Sequence, residues 1–189
     1  MKVEGQQQIV ARLALAALEL AADILANGKT SRLYRRLVYE LRAATDVSAA
    51  QNSREAGGVL QVAATASPGY TLAELERVIM EEINRLAADG PTEDEMARER
   101  VQAEAQFVYR LQTVGGFGGK SDQLNAYNVF LKDPAYFDRD LTRYLSVTPA
   151  SMRDAVRRYL GHRNRVSLSI VPAGKTVFAL PGSVPSQVS

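Results

Sequence analysis

The stretch that decides the fold is Val47–Ala66, VSAAQNSREAGGVLQVAATA. Val47, Ala49 and Gln51 alternate with polar or small residues, and Leu60, Val62, Ala64 and Ala66 do the same further on. A period of two marks strands with one covered face. Between them Glu55-Ala56-Gly57-Gly58 supplies turn chemistry, so the spacing predicts an antiparallel β-hairpin.

Outward from the hairpin the period changes to that of helices. Upstream, Ile9–Leu15 is ambiguous, alternating like a strand within an Ala-rich run. A helix is expected from Ala16 to Ala26, ended by Asn27-Gly28. A second is expected over Ser31–Arg42, with Leu33, Leu37 and Leu41 at helical spacing. Downstream, Ser67-Pro68-Gly69 breaks the sheet. Thr71 with Glu74 forms a capping box ahead of the stripe Leu72, Leu75, Ile79, Ile83 and Leu86. Asp89-Gly90-Pro91 closes that helix, and Thr92 with Glu95 caps another running to Gln112. Gly115–Gly119 reads as a flexible joint before a helix over Lys120–Leu131. Asp133-Pro134 and Thr148-Pro149 each place a capping residue before a proline suited to a first helical turn. Val166, Leu168 and Ile170 alternate with Ser167 and Ser169 and read as a last strand joining the hairpin. The expected class is α+β: a two-layer α/β sandwich, its mixed or antiparallel sheet packed by helices, over residues 1–172. Residues 173–189, rich in Gly, Pro and Ser, read as a linker or tail.

Composition narrows function by exclusion. A hydrophobic fraction of 46 % and a charged fraction of 23 % suit a soluble globular chain. A net charge of +2, spread along the sequence, lacks the clustered Lys and Arg of a nucleic-acid footprint. Arg12, Glu19 and Asp23 interrupt the apolar run Ile9–Leu25, so no membrane span is expected. No signal peptide is visible. The absence of cysteine excludes disulfides and thiol nucleophiles and leaves the compartment open. The abundance of Ala and Arg suits a GC-rich bacterial genome. His162 is the single histidine. A catalytic zinc takes three protein ligands, with at least two nitrogens or sulfurs among them in the common sites. This chain cannot build that set, so no metal ligand and no catalytic residue is expected in it. His162, flanked by Gly161 and Arg163, reads as a turn residue.

Two segments imitate phosphate loops: Val114–Ser121 ends in Gly-Lys-Ser, and Asn27–Thr30 ends in Gly-Lys-Thr. A Walker loop needs a first glycine where these have Val114 and Asp23, and it follows a strand rather than a helix. A hinge or helix-joining role is the simpler reading. Glu81-Glu82, Glu93-Asp94-Glu95, Arg35-Arg36 and Arg157-Arg158 read as solvated helix faces. Tyr34, Tyr39, Tyr127, Tyr136, Tyr144 and Tyr159 read as packing residues.

Three segments in order carry a resemblance: GKTSRLYRRLVYELRAATDVSA (28–49), GGFGGKSDQLNAYNVFLKDPAYFDRDLTRYLSVTPASMRDAVRRYL (115–160) and RVSLSIVP (165–172). Together with residues 71–109 they resemble the second, non-catalytic domain of a half-molecule of the pitrilysin-type (insulinase, inverted zinc) peptidases. The resemblance covers most of residues 16–172. It implies a metallopeptidase in which a partner domain, on the same polypeptide or another subunit, carries His-x-x-Glu-His, holds zinc and activates water. This segment would then be a wall of a chamber around peptide substrate, without cofactor of its own. In the half opposite the zinc, the family places a substrate-gripping Arg and Tyr after the Ser-Arg-Leu helix. Those positions fall here on Val38 and Thr45, which cannot stabilise an oxyanion, and Arg42 is four residues off. Family domains also open with a strand that Met1–Leu15 does not supply, and a sheet lacking it would have an open edge through which two copies could pair. Two further readings remain: a structural or interaction subunit without peptidase activity, and a nucleotide-binding module using a Gly-Lys loop.

Overall fold

The computed structural model describes residues 2–54, 57–161 and 165–185. Helix α1 (Lys2–Ala26) runs unbroken through the segment that had been ambiguous, so residues 9–15 are helical and add no strand. Its alanines let neighbours approach closely, and Ala16, Ala17, Leu20, Ala21, Ile24 and Leu25 are almost fully buried. Asn27 N–H closes the helix on the Asp23 carbonyl at 2.8 Å, and Gly28 turns the chain out at φ 74°. That left-handed conformation suits glycine.

The Ser31–Arg42 segment is helical but wider than expected, a π-helical turn over Tyr34–Glu40. Leu41 N–H reaches the Arg36 carbonyl at 3.0 Å, five residues back. The wider winding keeps Leu33 and Leu37 buried and carries Leu41 into solvent. Arg42, at φ 53°, then redirects the chain into the sheet.

Strands β1 (Ala44–Arg54) and β2 (Gly57–Ala66) pair antiparallel, with Val47 opposite Ala64, Ala49 opposite Val62 and Gln51 opposite Leu60. The two alternating rows therefore share one face. One row (Val47, Ala49, Val62, Ala64, Ala66) packs on the core and the other faces out. Behind the hairpin lies α1, and around α1 lie α3 (Glu93–Gln112), α5 (Phe137–Leu145) and α6 (Pro149–Tyr159), with α2 (Leu72–Asp89) against α6. Leu75, Val78, Leu86, Met96, Met152 and Val156 complete the core. The capping boxes at Thr71, Thr92 and Thr148 are all formed. Helix α4 (Lys120–Ala126) continues as a π-helical turn over Tyr127–Leu131.

Two expectations fail. Asp133 does not cap a helix at Pro134. It opens a turn, its side chain accepting from Ala135 N–H at 3.1 Å and its carbonyl from Tyr136 N–H at 3.2 Å, and α5 begins only at Phe137. Residues 165–172 form no strand with the hairpin, so the sheet among the described residues has two strands. The alternation is real but inverted. Ser167 donates to Glu76 on α2 at 2.8 Å and Ser169 accepts from Leu180 N–H at 3.1 Å, while Val166, Leu168 and Ile170 are 94, 76 and 85 % exposed. Glu76, held also by Arg165 at 3.1 Å, ties the segment to α2 rather than to a sheet edge.

Candidate functional site

The Ser-Arg-Leu turn is a structural joint. Ser31 Oγ donates to the Gly28 carbonyl at 2.7 Å, and Leu33 is fully buried. Arg32 reaches across to α3, placing Nε 2.8 Å from Glu95 Oε1, Nη2 2.7 Å from Oε2 and Nη2 3.1 Å from the Gly90 carbonyl. Burial alone would raise the Glu95 carboxyl. The Arg32 fork and the Thr92 N–H outweigh it and hold that carboxyl below its ordinary range. Glu95 thus caps α3 and locks it to the joint, which corrects its reading as a solvated charge.

The same joint borders a hollow of about 250 Å³ lined by Thr30, Arg32, Arg35, Arg36, Glu40, Glu82, Arg85 and Glu95. Glu82 is 3 % exposed and lies 3.1 Å from Arg85 and 3.8 Å from Arg36, while Glu81 takes the other side of Arg36 at 3.4 Å. Glu82 and Arg36 therefore belong to a part-buried ion network, not a solvated face. Adjacent residues on a helix point about 100° apart, so a Glu-Glu pair can place one carboxylate inside and one outside.

A second polar junction lies between α1, α3 and α5. Glu19 accepts from the Tyr144 hydroxyl, and Asp140 accepts from the Tyr127 hydroxyl at 2.7 Å and pairs with Arg143 at 2.8 Å. Burial, then the facing carboxylate, raises both phenols. Glu99 on α3 is 2 % exposed and faces Asp23 of α1. One of its oxygens lies 3.5 Å from Arg98 and the other has no hydrogen-bond partner among the described residues. Burial, and then Asp23, hold the Glu99 carboxyl above its usual range. Tyr127 and Tyr144 pack as expected, whereas Tyr39 and Tyr159 are exposed.

Neither junction has hydrolytic chemistry. Among the described residues no three of His, Cys, Asp and Glu are placed to share a metal ion. With one histidine and no cysteine in the sequence, the donor set does not fit a catalytic zinc. His162 lies outside the described residues. Val38 is half-buried against the core, and Thr45 is exposed on β1, its hydroxyl 3.4 Å from the Thr65 carbonyl. Neither presents a donor to a substrate backbone.

The Gly-Lys loops are equally closed. In residues 113–122, Lys120 N–H donates to Thr113 O at 2.8 Å, Ser121 N–H to Val114 O at 3.1 Å and Gly119 N–H to Gly116 O at 3.3 Å. Gly118 N–H donates to the Asp122 carboxylate at 2.9 Å. The amides a phosphate would need are engaged, and a carboxylate already sits among them. In the other loop Ser31 caps back on Gly28, following a helix rather than a strand. The nucleotide-binding reading has no geometry behind it.

A family model for the inactive domain of M16 peptidases, the pitrilysin type, matches residues 10–102. Over that stretch the chain is similar to the M16 inactive domain. Solved structures share the fold over a wider span than the family match. A candidate zinc protease from Bordetella pertussis Tohama I superposes with a TM-score of 0.70 at 21 % identity, over 85 % of this chain and 86 % of that one. The inactive peptidase domain of a candidate zinc protease from Bordetella parapertussis gives 0.69 at 21 % identity, over 82 % and 81 %. The periplasmic protease PqqL of Escherichia coli gives 0.57 at 21 % identity, over 81 % of this chain but 16 % of that one. The shared fold thus occupies a small part of at least one much longer protease. No curated protein matches the chain. Zinc belongs to the family's full-length proteases, and among the described residues no helix is long and apolar enough to cross a membrane.

Proposed function

We propose that this inactive domain is a chamber wall of an M16 zinc metalloendopeptidase, packed beside a separate domain or subunit that bears His-x-x-Glu-His. The observation that carries this reading is the contrast within one segment. The Ser31–Leu33 joint is intact and locked to α3, while the two positions after it that would grip substrate are Val38 and Thr45. The outward row of the hairpin suits a passive wall: Ser48, Ala50, Asn52, Gln61, Ala63 and Thr65 are exposed, small or uncharged, and would let a peptide slide without being held. Residues 1–172 would form the domain and 173–189 a connecting segment.

A photocrosslinking residue at Ala63, in the protease assembled with its zinc-bearing partner, should capture a peptide substrate. The same residue at Glu104, on the outer side of α3, should not. Equal capture at both positions, or none at Ala63, would remove the wall assignment. The isolated chain should hydrolyse no peptide, and chelator-sensitive cleavage by it would refute the reading outright.

A purely structural subunit is the rival. The two open edges of the β1–β2 hairpin favour it, since they offer backbone groups to a second copy or to a neighbouring domain. The coding sequence adjoining this segment discriminates, because a structural subunit would have no companion His-x-x-Glu-His. Pairing of two copies through the edge is tested by sedimentation, where a monomer across micromolar concentrations excludes it.

A further inference from the structure

The hollow beside the Ser-Arg-Leu joint holds more guanidinium donors than its own pairs use. Four guanidinium groups (Arg32, Arg35, Arg36, Arg85) meet Glu40, Glu82 and Glu95 at the lining and Glu81 beside Arg36, so the formal charges balance but the hydrogen bonds do not. The spare donors are locatable. Arg35 is exposed at the lining and makes no ion pair with any described residue. Arg32 spends Nε and Nη2 on Glu95 and Gly90, but its buried Nη1 has no acceptor among the described residues. Arg36 Nε is likewise buried without a hydrogen bond, its closest carboxylate oxygen being 3.8 Å away on Glu82. A buried donor without an acceptor is costly, and a charged donor more so. Planar guanidinium forks match the planar geometry of a carboxylate.

We propose that this hollow binds a single carboxylate group, presented either by an acidic side chain of a peptide or by a free acid. Donor geometry sets the class: the unsatisfied guanidinium N–H groups and the unpaired Arg35 suit one planar carboxylate, whereas a phosphate dianion would meet four nearby carboxylates with no net positive charge to offset it. Size sets the scale, because about 250 Å³ lies below the roughly 300–1,000 Å³ of pockets built for whole small molecules. The hollow holds one group rather than a ligand of many parts. Its chemistry is independent of whether the domain lines a chamber.

The test is a nitrogen-15 NMR titration of the 189-residue chain, following the Arg36 Nε–H signal at constant ionic strength held with sodium chloride. Sodium acetate should move that signal to saturation, while chloride replacement alone should not. A blocked peptide, acetyl-Gly-Glu-Gly-amide, should saturate it too if the carboxylate arrives on a chain, and should leave it unmoved if the site takes free acids only. Arg35→Ala removes an exposed, unpaired side chain and should leave the fold intact while weakening acetate binding roughly tenfold, the scale of one charge-assisted hydrogen bond. Arg35→Lys should recover part of the loss, because it restores charge but not the fork. A signal that follows ionic strength alone, an affinity unchanged in Arg35→Ala, or saturation by inorganic phosphate at lower concentration than acetate would overturn the assignment.

Discussion

Replacing Glu99 by glutamine should stabilise this domain, and only where Glu99 is ionised. The side chain is 2 % exposed. Arg98 lies 3.5 Å from one oxygen, the other oxygen has no hydrogen-bond partner among the described residues, and the like charge of Asp23 acts on it. Burial raises its carboxyl above the ordinary value of 4.5. Below that value both folded and unfolded chains hold the proton and the group contributes no difference. As pH rises from there through the raised folded-state value, the unfolded chain sheds the proton first and the native state loses stability. Glutamine keeps the shape and removes the charge. The gain at pH 8 should be about 1–3 kcal/mol, the cost of one buried acceptor left unsatisfied. For a chain of this length that is a rise in Tm of about 2–12 °C, at roughly 2–4 °C per kcal/mol. Thermal unfolding by circular dichroism at pH 4, 6 and 8 should show the variant and the parent converging at pH 4 and diverging above it. A destabilised variant at pH 8, or a difference that ignores pH, would show that Glu99 is satisfied in the folded state.

Arg32→Ala should cost about 3–5 kcal/mol in urea unfolding, because it strands a part-buried carboxylate, and Arg32→Lys should recover only a fraction. The Arg32–Glu95 contribution should fade as pH falls below 4.5 through the lowered Glu95 value, which the parent's excess over Arg32→Ala would reveal in the same titration. Gly90→Ala should destabilise, since φ is 79° and the added carbon would meet Pro149 O and Arg153 Cβ at 3.4 Å; an unchanged urea midpoint would contradict this. Leu37→Ala, at the fully buried side chain of the π-helical turn, should cost about 2–5 kcal/mol, again read from the urea midpoint.

Local signals in the sequence located the hairpin and the capping boxes, because each depends on residues within a few positions of one another. Thr71 with Glu74 and Thr92 with Glu95 needed no knowledge of the rest of the chain. Some of what failed was local, as at Asp133, and some depended on distant partners. The Ile9–Leu15 alternation was outweighed by the alanine-rich helix continuing through it. Val166–Ile170 has a strand's period but sits where Glu76 engages its serines and arginine. The π-helical winding of Tyr34–Glu40 leaves no mark on the leucine spacing that suggested an ordinary helix. Glu82 and Glu95 read as surface charges because Arg36, Arg85 and Arg32, which make their burial tolerable, come from other turns of the chain or from another segment. The absence of a zinc site was the plainest message of all, since ligand chemistry can be counted before anything is folded.

The double duty of Glu95 ties two regions far apart in sequence into one opening event. The first turn of α3 cannot unwind without releasing Arg32, and the 31–42 segment cannot lift away without uncapping α3. Their amide protons should therefore trade with deuterated solvent at a shared rate, marking a single cooperative unit across a gap of some sixty residues.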